Sequence, residues 1–214
     1  MHLYCVRHGE SEYNADHRIQ GQLNPSLSEL GRLQGKAVAE VFQTVEIEAI
    51  FTSPLKRAAE TARFVAEMVP SAEFIEIEDL QELNAGIFQG LRWDEIAERY
   101  PEEAKRWKAQ EPDFVIPQGE SRRQLMDRGR KAMETIYENY SQFQKAAVIA
   151  HGGILTAAFK SLLQIPAEIN PFALQNCSIS QLARTEERIR LISLNQVWHL
   201  DQVNSGRRVG SGDL

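Results

Sequence analysis

A chain of 214 residues is long enough for one domain with a substantial core, or for one domain and a lid. Hydrophobic residues make up 43% and charged residues 25%, the balance of an ordinary soluble globular protein. The formal net charge of −6 excludes the broad basic footprint of a nucleic-acid binder, and no apolar run reaches membrane-spanning length.

In chain order, Leu3–Val6 predicts a buried strand that runs into Arg7-His8-Gly9-Glu10. Residues 8–27 are polar, carry Gly21 and Pro25, and read as a long functional loop. Ser28 is a good N-cap, and Leu30, Leu33, Ala37 and Val41 give an amphipathic helix to about Phe42. Glu48–Thr52 suits a second strand. Ser53-Pro54 then reads as a helix start, with Ser at the N-cap and Pro at the first helical position, running to about Met68. Phe74–Ile77 predicts a third strand, and 79–92 an irregular segment with Gly86 and Gly90. Trp93–Tyr100 and Pro101–Ala109 read as short charged helices, Glu111–Glu120 as a loop, and Ser121 as the cap of a helix to about Tyr140. Ala146–Ala150 is a strand ending at His151-Gly152, with a helix over Gly153–Leu163. Cys177–Ala183 and Arg188–Leu194 alternate as a hairpin. Residues 201–214, with Gly206, Gly210 and Gly212, are expected to be a disordered tail.

Alternating strands and helices predict an α/β fold: a three-layer α/β/α sandwich around a mostly parallel sheet. Residues 1–200 are expected to form a single domain, with 86–145 contributing a helical cap. Cys5 and Cys177 are the only cysteines, and Cys5 falls in a buried strand. They read as free thiols in a reducing compartment, and no signal peptide is evident, so a cytoplasmic protein is expected.

In an open α/β sheet, ligands bind beyond the carboxyl ends of the strands. Arg7, His8 and His151 end strands, Arg57 lies in the first turn of a helix after one, and Glu82 opens a loop after another. Each alone is an unremarked surface or turn residue. Together they meet the demands of phosphoryl transfer: cations for the phosphoryl oxygens, an imidazole to attack, and an acid for the leaving oxygen. Backbone N–H groups at the helix start near Arg57 would add to anion binding. His2 and His17 read as surface residues, and His199 as packed or solvated. Trp93, Trp107 and Phe114 read as cap core rather than a substrate platform. Arg92, Arg99, Arg106, Arg122 and Arg123 read mostly as solvated helix faces, one of which could reach an anionic substrate.

Arg7-His8-Gly9-Glu10 with Asn14 resembles the phosphohistidine motif of the histidine phosphatase superfamily, the phosphoglycerate mutase-like proteins. Arg18-Ile19-Gln20-Gly21, Leu27-Ser28-Glu29-Leu30-Gly31, Ser53-Pro54-Leu55-Lys56-Arg57-Ala58 with Thr61-Ala62, Gly119-Glu120-Ser121 and His151-Gly152 resemble its further motifs in order. The resemblance implies that His8 is a nucleophile that becomes phosphohistidine. It implies a phosphate pocket of Arg7, Arg57 and His151, with Gly21 and Gly152 lining it. Glu82 is implied as the acid and then the base, and Asn14 and Gln20 as substrate or phosphate contacts. No cofactor and no metal are implied.

Within the family, Glu82-Leu83-Asn84-Ala85-Gly86 and His151-Gly152-Gly153-Ile154 lack the cation and the polar pair that bisphosphoglycerate-dependent mutases carry there. Gln89 cuts the other way, standing where many phosphatase members have Glu. The expected activity is therefore a metal-independent phosphatase for a small phosphomonoester: phosphoserine, a phosphoglycerate-type compound or a sugar phosphate. A phosphoglycerate mutase and an inactive phospho-ligand binder are the alternatives. No nucleic-acid or membrane partner is expected, and a homodimer is left open.

Overall fold

A computed structural model of the chain describes residues 1–185 and 188–204. Six strands form one sheet: β1 (His2–Arg7), β2 (Ala49–Thr52), β3 (Glu73–Glu76), β4 (Lys145–Ala150), β5 (Ile179–Arg184) and β6 (Ile189–Gln196), in the order β3-β2-β4-β1-β5-β6. The first four of that order are parallel, and β5 and β6 continue the sheet antiparallel.

Side chains alternate across a strand, so each central strand feeds two cores. Leu3, Cys5, Phe51, Ala146, Val148 and Ala150 pack in one cluster with Ala132, Met133 and Ile136 of α6 (Arg122–Asn139) and Ile154 and Leu155 of α7 (Gly152–Leu162). Val6, Ile50, Ala147 and Ile149 pack on the other side with Val38, Ala39 and Phe42 of α2 (Glu29–Phe42) and Ala58, Ala62 and Val65 of α3 (Lys56–Met68). The result is the expected three-layer sandwich. Burial on both faces is why β1 and β4 read as unbroken apolar runs.

Within the region expected as a cap, α6 packs along α7 and belongs to the sheet's own covering layer. The short helices α4 (Trp93–Arg99) and α5 (Pro101–Lys108) give Ile96, Ala104 and Trp107 to the same core.

Three local expectations change. The loop 8–27 contains one helical turn, α1 (Glu12–Ala15), closed by a reciprocal capping box between Ser11 and Asn14. Ser53 and Pro54 precede rather than open α3, whose first residue is Lys56 and whose N-cap, Leu55, has no side-chain cap bond. A strand-end role wins over capping there, as described below. Residues 201–204 are tied down: Val203 and Asn204 donate backbone bonds to Leu200, and Asn204 Oδ1 accepts from Gln34 Nε2 at 3.1 Å. The rest of the expected tail, 205–214, lies outside the described residues. Among the described residues no helix is long and apolar enough to cross a membrane.

Candidate active site

The ends of β2, β4 and β1 lie side by side. Their ladders carry on one residue past the strands, with Ser53 N–H donating to Ile149 O at 3.0 Å and His8 N–H to Ala150 O at 2.9 Å. Ser53, His151 and His8 therefore stand in a row. The two imidazole centroids are 5.0 Å apart, close to the spacing of about 4.8 Å between neighbouring strands.

Arg57, in the first turn of α3, is fully buried behind His8. Its Nη1 and Nη2 donate to Leu23 O at 2.8 Å and Gly21 O at 2.9 Å, and its Nε to His8 Nε2 at 3.2 Å. On the other side of the ring, His8 Nδ1 lies 2.7 Å from Gly9 O. A carbonyl can only accept and a guanidinium can only donate, so the tautomer is set: hydrogen on Nδ1, lone pair on Nε2. Burial first, then the charges of Arg57 and Arg7, hold His8 well below the usual imidazole pKa. The ring is thus neutral with its nucleophilic nitrogen beside a buried guanidinium. Asn176 Nδ2 donates to His8 O at 3.0 Å, and Gly9 N–H donates to Thr61 Oγ1 at 3.1 Å, which fixes the backbone on either side of the ring.

Arg7 is likewise buried and donates from Nη1 to Leu174 O at 2.6 Å. His151 Nε2 meets Ser53 Oγ at 2.8 Å. Ser53 Oγ already accepts from Leu55 N–H at 3.3 Å, so its own hydrogen is available to His151 Nε2. With Ser53 as the donor, Nδ1 carries the ring hydrogen, and it is a buried atom with no hydrogen-bond partner among the described residues. Burial and then Arg57, His8 and Arg7 push His151 well below its usual pKa. It then offers an N–H here rather than a positive charge. At the start of α3 one backbone donor is committed elsewhere, since Lys56 N–H donates to Asn24 Oδ1 at 2.6 Å.

Glu82 reaches the same place from the loop after β3. Its Oε1 accepts from Leu83 N–H at 2.8 Å and Ile154 N–H at 3.0 Å, and its Oε2 from Gly153 N–H at 2.9 Å. Three of about four lone-pair positions are used, which leaves one on Oε2 to carry a proton. The loop is held from behind by Arg128, which donates to the carbonyls of Asp79 and Glu82 at 3.1 Å each, to Gln81 O, and to the Glu120 carboxylate. Glu120 also accepts from Asn84 N–H at 2.8 Å, and Ser121 caps α6. A Cβ on Gly119 would lie 2.3 Å from Asn84 O, so the Gly119-Glu120-Ser121 motif is the clasp of the Glu82 loop.

Gly153 is the glycine that abuts the acid itself, because a Cβ there would sit 2.4 Å from Glu82 Oε1. Gly153→Ala is expected to displace that carboxylate and lower kcat by about 10²-fold, the cost of misplacing a reacting group by around an ångström. Steady-state kinetics with a matched thermal melt would check this. A fall in Tm without a fall in kcat would contradict it.

One cavity of about 240 Å³ joins these groups. His8, Gln20, Gly21, Arg57, Glu82 and Gly152 line it. Arg7 and His151 are not themselves lining residues; each precedes one in the chain, His8 and Gly152. Asn14 is not among the lining residues. Its Oδ1 serves the Ser11 capping box and accepts from Asn176 Nδ2 at 3.4 Å. Gln20 Oε1 accepts from Ser11 Oγ at 2.6 Å. Gln89 holds the loop opposite, its Oε1 accepting from Gln22 N–H at 2.7 Å. Glu10 is turned to α2, accepting from Ser28 Oγ at 2.7 Å.

The cavity also takes in residues that sequence reading left on the surface or in the core. Trp107 does both jobs, being 3% exposed and a lining residue. Of the arginines expected on solvated faces, Arg92, Arg106 and Arg123 do pair at the surface with Asp16, Glu111 and Asp113. Arg122 instead turns inward to line the cavity with Lys160.

The comparisons with known proteins agree with this geometry. Residues 3–197 match the family model of the histidine phosphatase superfamily, branch 1. The chain is 37% identical over 213 residues to the metal-independent phosphoserine phosphatase of Arabidopsis thaliana, covering 99% of this chain and 88% of that one. It is 33% identical over 187 residues to a probable phosphoglycerate mutase of Klebsiella pneumoniae, covering 85% and 84%. The solved mycobacterial glucosyl-3-phosphoglycerate phosphatase superposes with a TM-score of 0.82 at 30% identity, over 92% of this chain and 99% of that one. With a family match over nearly its whole length and the family's two strand-end histidines side by side, the chain belongs to the histidine phosphatase superfamily.

Proposed function

We propose that this protein is a phosphatase that hydrolyses a small phosphomonoester through a phosphohistidine on His8. The observation that carries the reading is the state of His8: neutral, tautomer set by Gly9 O, and Nε2 beside Arg57 in a cavity shared with Glu82. The phosphatases among its relatives support it.

The phosphoryl group sits against Arg7, Arg57 and the His151 Nδ1–H, which neutralise its equatorial oxygens. His8 Nε2 attacks phosphorus as the ester P–O bond breaks, and Glu82 gives its proton to the leaving oxygen. A water then enters. Glu82, now a carboxylate, takes its proton, the oxygen attacks phosphorus, and the P–N bond breaks to return neutral His8 and free phosphate. Guanidinium charge does the work that a divalent ion does in other phosphoryl-transfer sites. Phosphate release is therefore expected to survive exhaustive EDTA treatment. A loss restored by one particular divalent ion would overturn that part of the reading.

A phosphoglycerate mutase is the second reading, and Arg122 and Lys160 in the cavity favour it, because a mutase must hold a doubly anionic intermediate. Hydrolysis is preferred because the groups next to Glu82 and His151 are neutral: Leu83 and Gly153 line the cavity without charge. With 3-phosphoglycerate supplied, free phosphate should exceed 2-phosphoglycerate, with or without 2,3-bisphosphoglycerate. Strong stimulation of isomerisation by the bisphosphate, with little phosphate released, would select the mutase.

A further inference from the structure

Arg122, the first residue of α6, and Lys160, on α7, are cations without a carboxylate in ion-pair range among the described residues. Arg122 lies over Trp107, its guanidinium carbon 3.4 Å from the ring centroid. Lys160 is 4% exposed and makes one bond, from Nζ to Ala167 O at 2.8 Å. Three buried polar atoms of the same cavity lining have no hydrogen-bond partner among the described residues: Arg122 Nη1, Trp107 Nε1 and Gln110 Oε1. Burial lowers Arg122 to about 10, and burial with the Arg122 charge lowers Lys160, partly offset by Glu168. A buried lysine, a half-buried arginine and three unsatisfied buried polar atoms together are costly unless a ligand completes them. Glu82 is the sole acid among the described lining residues, and its oxygens are already bonded.

We infer that this end of the cavity binds the substrate's own carboxylate, through Arg122 Nη1, Trp107 Nε1 and Lys160 Nζ, while Gln110 Oε1 accepts a hydrogen bond from an amino or hydroxyl group on the adjoining carbon. The inference deepens the phosphatase reading and rests on it for the other end of the same molecule. A planar anion suits the planar fork of an arginine backed by an indole. A lone acceptor beside those donors disfavours a second phosphate, whose third oxygen would face Gln110 Oε1, and suits a donor-bearing α-carbon. The substrate class is thus a phosphomonoester of a short α-amino or α-hydroxy acid.

The test uses substrate pairs that differ in the carboxylate: phosphoserine against phosphoethanolamine, and 3-phosphoglycerate against glycerol 3-phosphate. Wild-type kcat/KM is expected to favour the acid of at least one pair by about 10- to 100-fold, the worth of charge-assisted hydrogen bonds in a buried site. Arg122→Met, which keeps a stem against Trp107, and Lys160→Met should bring that ratio toward one. Arg122→Lys should bring it only part of the way. A wild-type ratio near one in both pairs, or variants that slow both members equally, would overturn the inference. Should Arg122→Met not fold by circular dichroism, Lys160→Met and Arg122→Lys carry the comparison. Calorimetric titration of His8→Ala protein with phosphoserine and phosphoethanolamine reads the same preference without turnover. It separates the two readings: if wild type releases no phosphate even from nitrophenyl phosphate, the phosphatase reading fails, while the ratio of Kd values still decides the carboxylate site.

Discussion

His8→Ala is expected to abolish phosphate release, by about 10³-fold or more, because the group lost is the one that forms the covalent intermediate. Arg7, Arg57 and His151 remain in that variant, so a phosphate ligand should still bind. Rapid quenching of the wild type should trap an acid-labile phosphoenzyme that the variant lacks. The pH dependence has a direction as well. Burial and two arginines hold His8 below the usual imidazole range. Its neutral, attacking form therefore persists as pH falls through about 6.5, where an exposed histidine would be half protonated. Phosphoenzyme formation should not decline in that window as an ordinary histidine would dictate. A variant with near-normal turnover, or a wild type without phosphoenzyme, would remove His8 from the mechanism.

Glu82→Gln is expected to slow alkyl phosphates by about 10²- to 10⁴-fold, and nitrophenyl phosphate far less, since only a poor leaving group needs the proton. The amide keeps the size of the side chain but must turn its NH₂ toward one of the three backbone N–H groups that now hold the carboxylate. Some loss from misplacement is common to all substrates. The leaving-group dependence isolates proton transfer from it. Equal losses on both substrate types would mean that Glu82 only clamps the loop to the start of α7.

The parts of the fold set by hydrophobic period and strand-end residues were legible in the chain. β1 and β4 announce themselves as apolar runs ending in His-Gly, and their adjacency brings the imidazoles together. What period cannot show is which partner a polar side chain chooses. Ser53-Pro54 has the chemistry of a helix start, but Ser53 ends β2 beside His151, and the tertiary bond wins. Asn14 has the chemistry of a ligand contact, and its Oδ1 closes a local capping box instead. Arg128 and Asn176 bind backbone carbonyls far away in sequence, and nothing local marks them. Arg122 could have been found. Leu125, Gly129, Ala132 and Ile136 are buried at spacings of three and four along α6, and that stripe extended back one step falls on Arg122, not on Arg123.

Nucleophile and phosphoryl cradle are carried by the sheet and by the turns that leave it, whereas Trp107, Gln110 and Arg122, three of the four residues inferred to meet the rest of the substrate, sit on the excursion between β3 and β4. That excursion departs from an edge strand and rejoins at a central one. Its length and composition can drift without disturbing any pairing in the ladder beneath. An architecture divided in this way lets descendants of one ancestor keep a single bond-breaking step while exchanging the molecules on which it is performed.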